Sequence, residues 1–150
     1  MPEQQPYVGR DDHRAERVRD VEMVGSESWD DPVRGSLSFR TLFSREETAT
    51  SVLTAGVADV APGGRLEVHR HGAAEVYFVL EGRGLLTLDG DEQEVAAGMA
   101  VHIAADAPHG IRNAGDTPLR FFYALAADGM ADVDYRFEAA AEGHSPTSGG

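Results

Sequence analysis

His69 and His71 flank a single residue, and Glu75 follows four positions later. The residues around the two histidines read as a strand, and side chains alternate faces along a strand, so both imidazoles point the same way. Gly72 permits a turn, and Glu75 to Leu80, rich in β-branched and aromatic residues, reads as a second strand. If the two strands pair, the Glu75 carboxylate comes within cross-strand reach of the imidazoles, about 5 Å between Cβ atoms. Two neutral imidazoles and a carboxylate converging on one point suit a first-row transition metal. An exposed His-x-His on a loop is the plain alternative, and Glu75 across the turn tilts the reading toward metal. His109, delivered by the turn Asp106-Ala-Pro108, is a third nitrogen candidate. Three nitrogens and one oxygen leave a position open for water, substrate or dioxygen, which separates a catalytic site from a closed structural one.

The chain has no cysteine, so disulfides, thiolate ligands and thiol nucleophiles are all excluded, and nitrogen and oxygen must hold any metal. Its 13 basic and 26 acidic residues give a formal charge of −13. Phosphate backbones and anionic lipid surfaces repel such a surface, so neither nucleic acid nor membrane is an expected partner. No apolar run approaches a membrane span, and no basic segment followed by an apolar one opens the chain, so a cytoplasmic location is expected. A length of 150 residues allows one domain with a real core.

The elements that must position the donors are short strands. Residues 1–35 read as an N-terminal arm packing on the domain, with Val18 to Val24 a short strand in preference to a single helical turn and Gly25 to Gly35 a stretch of turn formers. Trp29 within it reads as the anchor of the arm, with a pocket wall or dimer contact as the alternative. Residues 36–138 form the single domain. Leu37, Phe39, Thr41 and Phe43 share one face of a strand, and Ser44 to Thr50 is a polar connection. Strands follow over Ser51 to Val60, Gly84 to Leu88, Glu92 to Val95, Met99 to Ala104 and Leu119 to Ala126. Asp89-Gly90 is a hairpin signal between the second and third of these, and Tyr135-Arg-Phe adds an edge strand. Residues 139–150 read as a disordered tail, which sets His144 aside as His13 is set aside in the arm. His102 reads as a hydrogen-bonded wall residue. Short strands with closely spaced turns and little helical periodicity describe an all-β barrel or sandwich.

At this point the sequence resembles the cupin family, a double-stranded β-helix or jelly-roll barrel. The family's first motif (Gly, five residues, His-x-His, three or four residues, Glu, six residues, Gly) is met by Gly63, His69, His71, Glu75 and Gly82. In the second motif Gly98, His109 and Asn113 match, whereas Ala104 and Asp106 stand where a proline and a glycine are usual. Those departures touch a turn and leave the ligands intact. The resemblance spans Ser51 to Ala126 and implies that His69, His71, Glu75 and His109 bind one divalent transition metal inside the barrel. Asn113 is then a loop brace. Fe2+ is the favoured ion, with Ni2+, Cu2+, Mn2+ and Zn2+ also compatible with such a donor set.

Tyr77, two residues beyond Glu75, should face the same cavity, either as a core aromatic or as a catalytic acid or base. Inward positions Phe39, Leu86, Leu88, Phe121 and Tyr123 are the expected substrate-binding wall, apolar enough for a small, partly apolar molecule. Arg65, Arg83 and Arg112 could orient an anion, although most read as surface residues. The leading expectation is a dioxygenase-type oxidoreductase. A non-redox lyase, isomerase or cyclase using the same metal as a Lewis acid is the alternative, with a non-catalytic binding module third. A homodimer is expected, because the Leu37–Phe43 strand reads as an apolar edge that needs covering.

Overall fold

A computed structural model of the chain describes residues 17–138. The expected disordered tail, residues 1–16 of the expected arm, and His13 and His144 lie outside the described residues. The strands are β1 (Glu27–Asp31), β2 (Gly35–Phe43), β3 (Thr54–Val60), β4 (Arg65–Arg70), β5 (Glu75–Glu81), β6 (Arg83–Leu88), β7 (Asp91–Ala96), β8 (Ala100–Ile103), β9 (His109–Arg112), β10 (Leu119–Leu125) and β11 (Arg136–Phe137). They pair antiparallel in the order β7-β6-β9-β4-β2-β3-β10-β5-β8, with β1 added on β2 and β11 on β4. The result is the all-β architecture expected from the strand pattern, in the curled jelly-roll form that the resemblance implies.

Local chemistry explains the joints. The β6–β7 hairpin turns on Asp89 and Gly90, both left-handed at φ 52° and 88°, as a tight two-residue hairpin requires. Asp106, at the position where a glycine is usual, also takes a left-handed φ of 63°. Aspartate tolerates that region, so the turn before His109 is kept without glycine. Asn113 spans another joint: its amide donates to the carbonyls of Val60 (2.9 Å) and Thr117 (2.8 Å), and its oxygen accepts from Gly115 N–H (2.9 Å).

Several elements differ from the sequence expectation. Val21–Met23 is a 3-10 turn rather than a strand; the Asp20 carboxylate caps it by accepting from Glu22 N–H at 3.0 Å. Within the expected turn-rich stretch, Glu27–Asp31 pairs with β2 as β1, its exposed residues alternating with half-buried Trp29 and Asp31. The polar connection after β2 contains one helical turn, α1 (Arg45–Thr48), capped by Ser44. β2 is not an edge, because β1, β3 and β4 all pair with it. The reason given for a dimer therefore lapses.

The core is the barrel interior. Phe39, Tyr77, Val79, Ile103, Ile111, Phe121 and Leu125 pack there together. A second, outer cluster of Val24, Leu42 and Val57 shows how the N-terminal segment covers β2 and β3 from outside. This double coverage explains why β3 is buried along nearly its whole length instead of alternating.

Candidate metal centre and cavity

Each candidate ligand sits at a strand end. His69 is near the end of β4, His71 lies just past it, Glu75 opens β5 and His109 opens β9. His69 and His109 are direct cross-strand partners. β4 and β5, in contrast, are not hydrogen-bonded neighbours: β5 lies between β10 and β8. The segment Gly72–Ala74 carries the chain across the barrel, and Glu75 meets the imidazoles through the interior rather than along one hairpin. The convergence expected from strand pairing is thus reached by a different route.

The three imidazoles are buried, and their ligand atoms lie within 4.8 Å of one another. Their orientation is set by backbone carbonyls. Nδ1 of His69, His71 and His109 lies 2.8, 2.8 and 2.9 Å from the carbonyl oxygens of Glu67, Ala73 and Ala107. A carbonyl only accepts, so each Nδ1 is the protonated nitrogen and each neutral ring turns its Nε2 lone pair inward. Fixing a ligand histidine through its second nitrogen in this way is how metal sites set ring tautomer and orientation. Oε1 of Glu75 stands 3.2 Å from Nε2 of both His71 and His109.

This donor set fits a divalent cation. Nε2 of His109 is fully buried and has no hydrogen-bond partner among the described residues, which is costly unless a cation or proton occupies the space it faces. The ionisation pattern agrees. Burial, reinforced by the charge of His109, lowers the pKa of His69 from 6.5 to about 3, so that ring stays neutral. Burial also works against charging His71, but the hydrogen bond and charge of Glu75 outweigh it and raise the pKa. For Glu75 burial pushes upward, and His109 and His71 together bring it below its ordinary value. Glu75 is therefore favoured as an anion among the imidazoles, and its charge makes His71 easier to protonate than His69.

The cavity beside these residues measures about 40 Å³ and is lined chiefly by apolar surface. Of the residues singled out from the sequence, His69, Glu75, Tyr77, Phe39, Phe121 and Tyr123 line it. Tyr77 packs on Phe121 at 4.4 Å between ring centroids and lies 6.1 Å from the His109 ring. Burial and the charge of Glu75 push its hydroxyl well above the usual tyrosine value. Leu86 and Leu88 lie elsewhere. On β6, which pairs with β7 and β9, Leu86 is buried in the core and Leu88 packs against it, and both line a separate depression with Val95 and Met99. β6 stands near the far edge of the sheet order from β5 and β10, so its inward side chains fill another part of the barrel.

Three further assignments are clear. His102 faces outward and is exposed on β8. Arg65 pairs with Glu67, Arg83 with Glu94 at 3.1 Å, and Arg112 is exposed, so among the described residues no guanidinium lines the cavity. Trp29, read first as an anchor, lines the cavity from β1, and Tyr135 and Met130 line it from the segment before β11. Sequence reasoning missed Tyr135. Its one available signal was the pair Tyr135 and Phe137, two apart and therefore on one face of the expected edge strand; the Phe137 ring stacks on His69 at 4.9 Å.

Comparison with known proteins places these features in context. The cupin domain profile matches residues 56–125. The dimethylsulfoniopropionate lyase DddW of Ruegeria pomeroyi is 40% identical over 122 residues, covering 81% of this chain and 80% of that protein. Among solved structures, the polyketide cyclase RemF of Streptomyces resistomycificus superposes with a TM-score of 0.69 at 23% identity, over 81% of this chain and 84% of that one. A predicted oxalate decarboxylase from Thermotoga maritima gives 0.67 at 23% identity, over 73% and 98%. At that identity the two structures speak for the fold alone. Among the described residues, no helix is long and apolar enough to cross a membrane.

Proposed function

The chain belongs to the cupin family, and from that premise we propose that it is a metal-dependent lyase acting on a small carboxylate with a leaving group at the β carbon. Dimethylsulfoniopropionate is the first substrate to try, because the lyase from Ruegeria pomeroyi shares 40% of its residues over four fifths of both chains. The same likeness puts the lyase ahead of the oxygenase that the bare donor set suggests.

In this reading His69, His71, Glu75 and His109 hold one divalent ion. When bound, such an ion supplies Lewis-acid polarisation of the substrate carboxylate and offsets the Glu75 charge that keeps Tyr77 neutral. With that charge offset, Tyr77 gives its own phenolic proton to water and, as the phenolate, takes the proton from the carbon next to the carboxylate onto Oη. The carbon–hydrogen pair becomes the new carbon–carbon π bond, and the β carbon–sulfur bond breaks with its electrons on sulfur. The products are acrylate and neutral dimethyl sulfide, and the proton on Tyr77 passes to water. The apolar wall of Phe39 and Phe121 excludes competing water from the reacting carbon.

The observation that carries this reading is the position of Tyr77. It shares the inward face of β5 with Glu75, is fully buried, and borders the same small cavity as His69 and Glu75. The test is headspace measurement of dimethyl sulfide from protein loaded with Fe2+, Mn2+ or Zn2+, with and without oxygen. Release at equal rates in both atmospheres supports the lyase. Oxygen consumption without dimethyl sulfide would return the oxygenase to first place.

A further inference from the structure

The residues matched by the cupin profile supply the four candidate ligands, but part of the cavity wall comes from outside them. Trp29 belongs to β1, and Tyr135 precedes β11; both fall beyond residues 56–125. Their rings meet edge to face, 5.4 Å apart at 89°, and Trp29 meets Phe39 the same way at 5.3 Å and 71°. Three rings set nearly at right angles present π faces and edges to one confined space, the arrangement that receives a cation which has shed its water. Arg34 already shows that this indole attracts positive charge, since its guanidinium lies 4.8 Å from the ring centroid. Among the described residues the cavity is lined by no lysine or arginine, and the carboxylate that lines it, Glu75, is turned toward the imidazoles.

We propose that Trp29, braced by Tyr135, selects substrates by holding a sulfonium or quaternary-ammonium head against its ring while the carboxylate end faces the histidine cluster. This deepens the lyase reading and rests on it. Tyr135 links the two ends of the site: its ring is 5.6 Å from His69, 5.4 Å from His71 and 5.4 Å from Trp29. A molecule whose acid and onium groups are separated by two methylenes reaches from one end to the other. An alkyl head of the same shape would fill the space without the charge attraction, so the structure predicts discrimination by charge and not only by size.

Trp29 is the single tryptophan of the chain, so its fluorescence reports on this wall directly. Metal-loaded protein is titrated with dimethylsulfoniopropionate, with 3-(trimethylammonio)propionate and with the neutral-headed isostere 4-methylpentanoate, and binding is followed by Trp29 emission and by calorimetry. Both onium acids should bind roughly 2- to 30-fold tighter than 4-methylpentanoate, the range of a cation–π contact. Calorimetry on Trp29→Leu should show that ratio collapsing toward one, with 4-methylpentanoate binding retained, and Trp29→Phe should retain part of it. A sulfonium preference without an ammonium preference would restrict the head to sulfonium while keeping the wall.

Equal binding of the charged and neutral heads by the wild-type protein overturns the proposal, as does a Trp29→Leu loss that falls equally on all three ligands. Should Trp29→Leu fail to fold by thermal melting, the wild-type ratio and Trp29→Phe decide the matter. The lyase reading fails separately, through absence of dimethyl sulfide release, and can stand when the charge preference does not. If none of the three acids binds, both readings fall.

Discussion

Oε1 of Glu75 lies 3.2 Å from Nε2 of His109, a ring whose other nitrogen is already committed to the Ala107 carbonyl. Two electron-rich atoms therefore face each other in a buried space, and a shared cation or proton relieves the repulsion. Glu75→Gln keeps the shape and removes the charge. It is expected to lower metal affinity by more than the roughly 10–100-fold typical of losing an outer-shell partner. Metal analysis of purified protein and competition against a chelating dye measure this. Wild-type protein should also melt higher with metal than after chelation, because binding to the folded state alone adds stability. Equal metal content in wild type and variant would remove Glu75 from the ligand set.

Tyr77→Phe separates chemistry from packing. The ring contact with Phe121 survives the change, so the melting temperature and metal content should stay close to wild type. Dimethyl sulfide release should fall by about 10²–10⁴-fold, the usual contribution of a positioned acid or base. The fall should appear in kcat rather than KM, since the hydroxyl is asked to act on the proton in flight. Unchanged turnover would leave Tyr77 as a core aromatic and move the search for a base to Tyr123 or Tyr135, which line the same cavity.

Much of the site was legible because its signals are local. The spacing of His69, His71 and Glu75, and the proline turn before His109, are written into short stretches where period and turn chemistry decide. What could not be read was the long-range pairing. β4 pairs with β9 and not with β5, a choice made by which faces bury together across some 40 residues, and no short window records it. Trp29 and Tyr135 show the same limit from the other side. Each looks like an isolated aromatic at the margin of the domain, and only the addition of β1 to β2 and β11 to β4 turns both toward the histidines. Leu86 and Phe121 carry equally good inward patterns on their strands, yet only Phe121 borders the cavity, because alternation gives the face of a strand and not its place around the barrel.

Asn113 tests the brace behind His109. All three hydrogen bonds of its side chain go to backbone groups, at the end of β3 and in the β9–β10 loop, and it is 3% exposed. Asn113→Ala leaves the Val60 and Thr117 carbonyls and the Gly115 N–H without that partner, and should cost about 2–4 kcal/mol of folding stability. Urea unfolding followed by tryptophan emission measures the loss. Since Asn113 lies four residues beyond His109 and touches no candidate ligand, metal stoichiometry at low temperature should be preserved. Loss of metal without loss of stability would mean that the residue acts on the site more directly than its contacts indicate.

The turn that presents Trp29 depends on Asp31, and its dependence should be visible in pH. Oδ1 of Asp31 accepts from the N–H groups of Val33 (3.0 Å) and Arg34 (2.7 Å), and Oδ2 accepts from Arg34 Nε at 2.8 Å. The Arg34 backbone and side-chain bonds, in that order, hold the carboxyl below its ordinary value of 3.8. A carboxyl depressed by folding stabilises the fold above its unfolded value, and that contribution fades as pH falls through the lower, folded value. Asp31→Ala should therefore unfold at lower urea concentration than wild type at pH 7 and pH 5, with the gap narrowing once the pH drops below 3.8. The carboxyl is exposed, so the gap should be modest and should shrink in high salt wherever the Arg34 ion pair contributes. The same variant should also shift Trp29 emission, because Arg34 would lose the partner that holds its guanidinium over the indole. A gap that stays constant from pH 7 to pH 3 would mean that backbone geometry at Gly35, left-handed at φ 114° and packed against the Arg65 carbonyl, fixes the turn without help from the charge of Asp31.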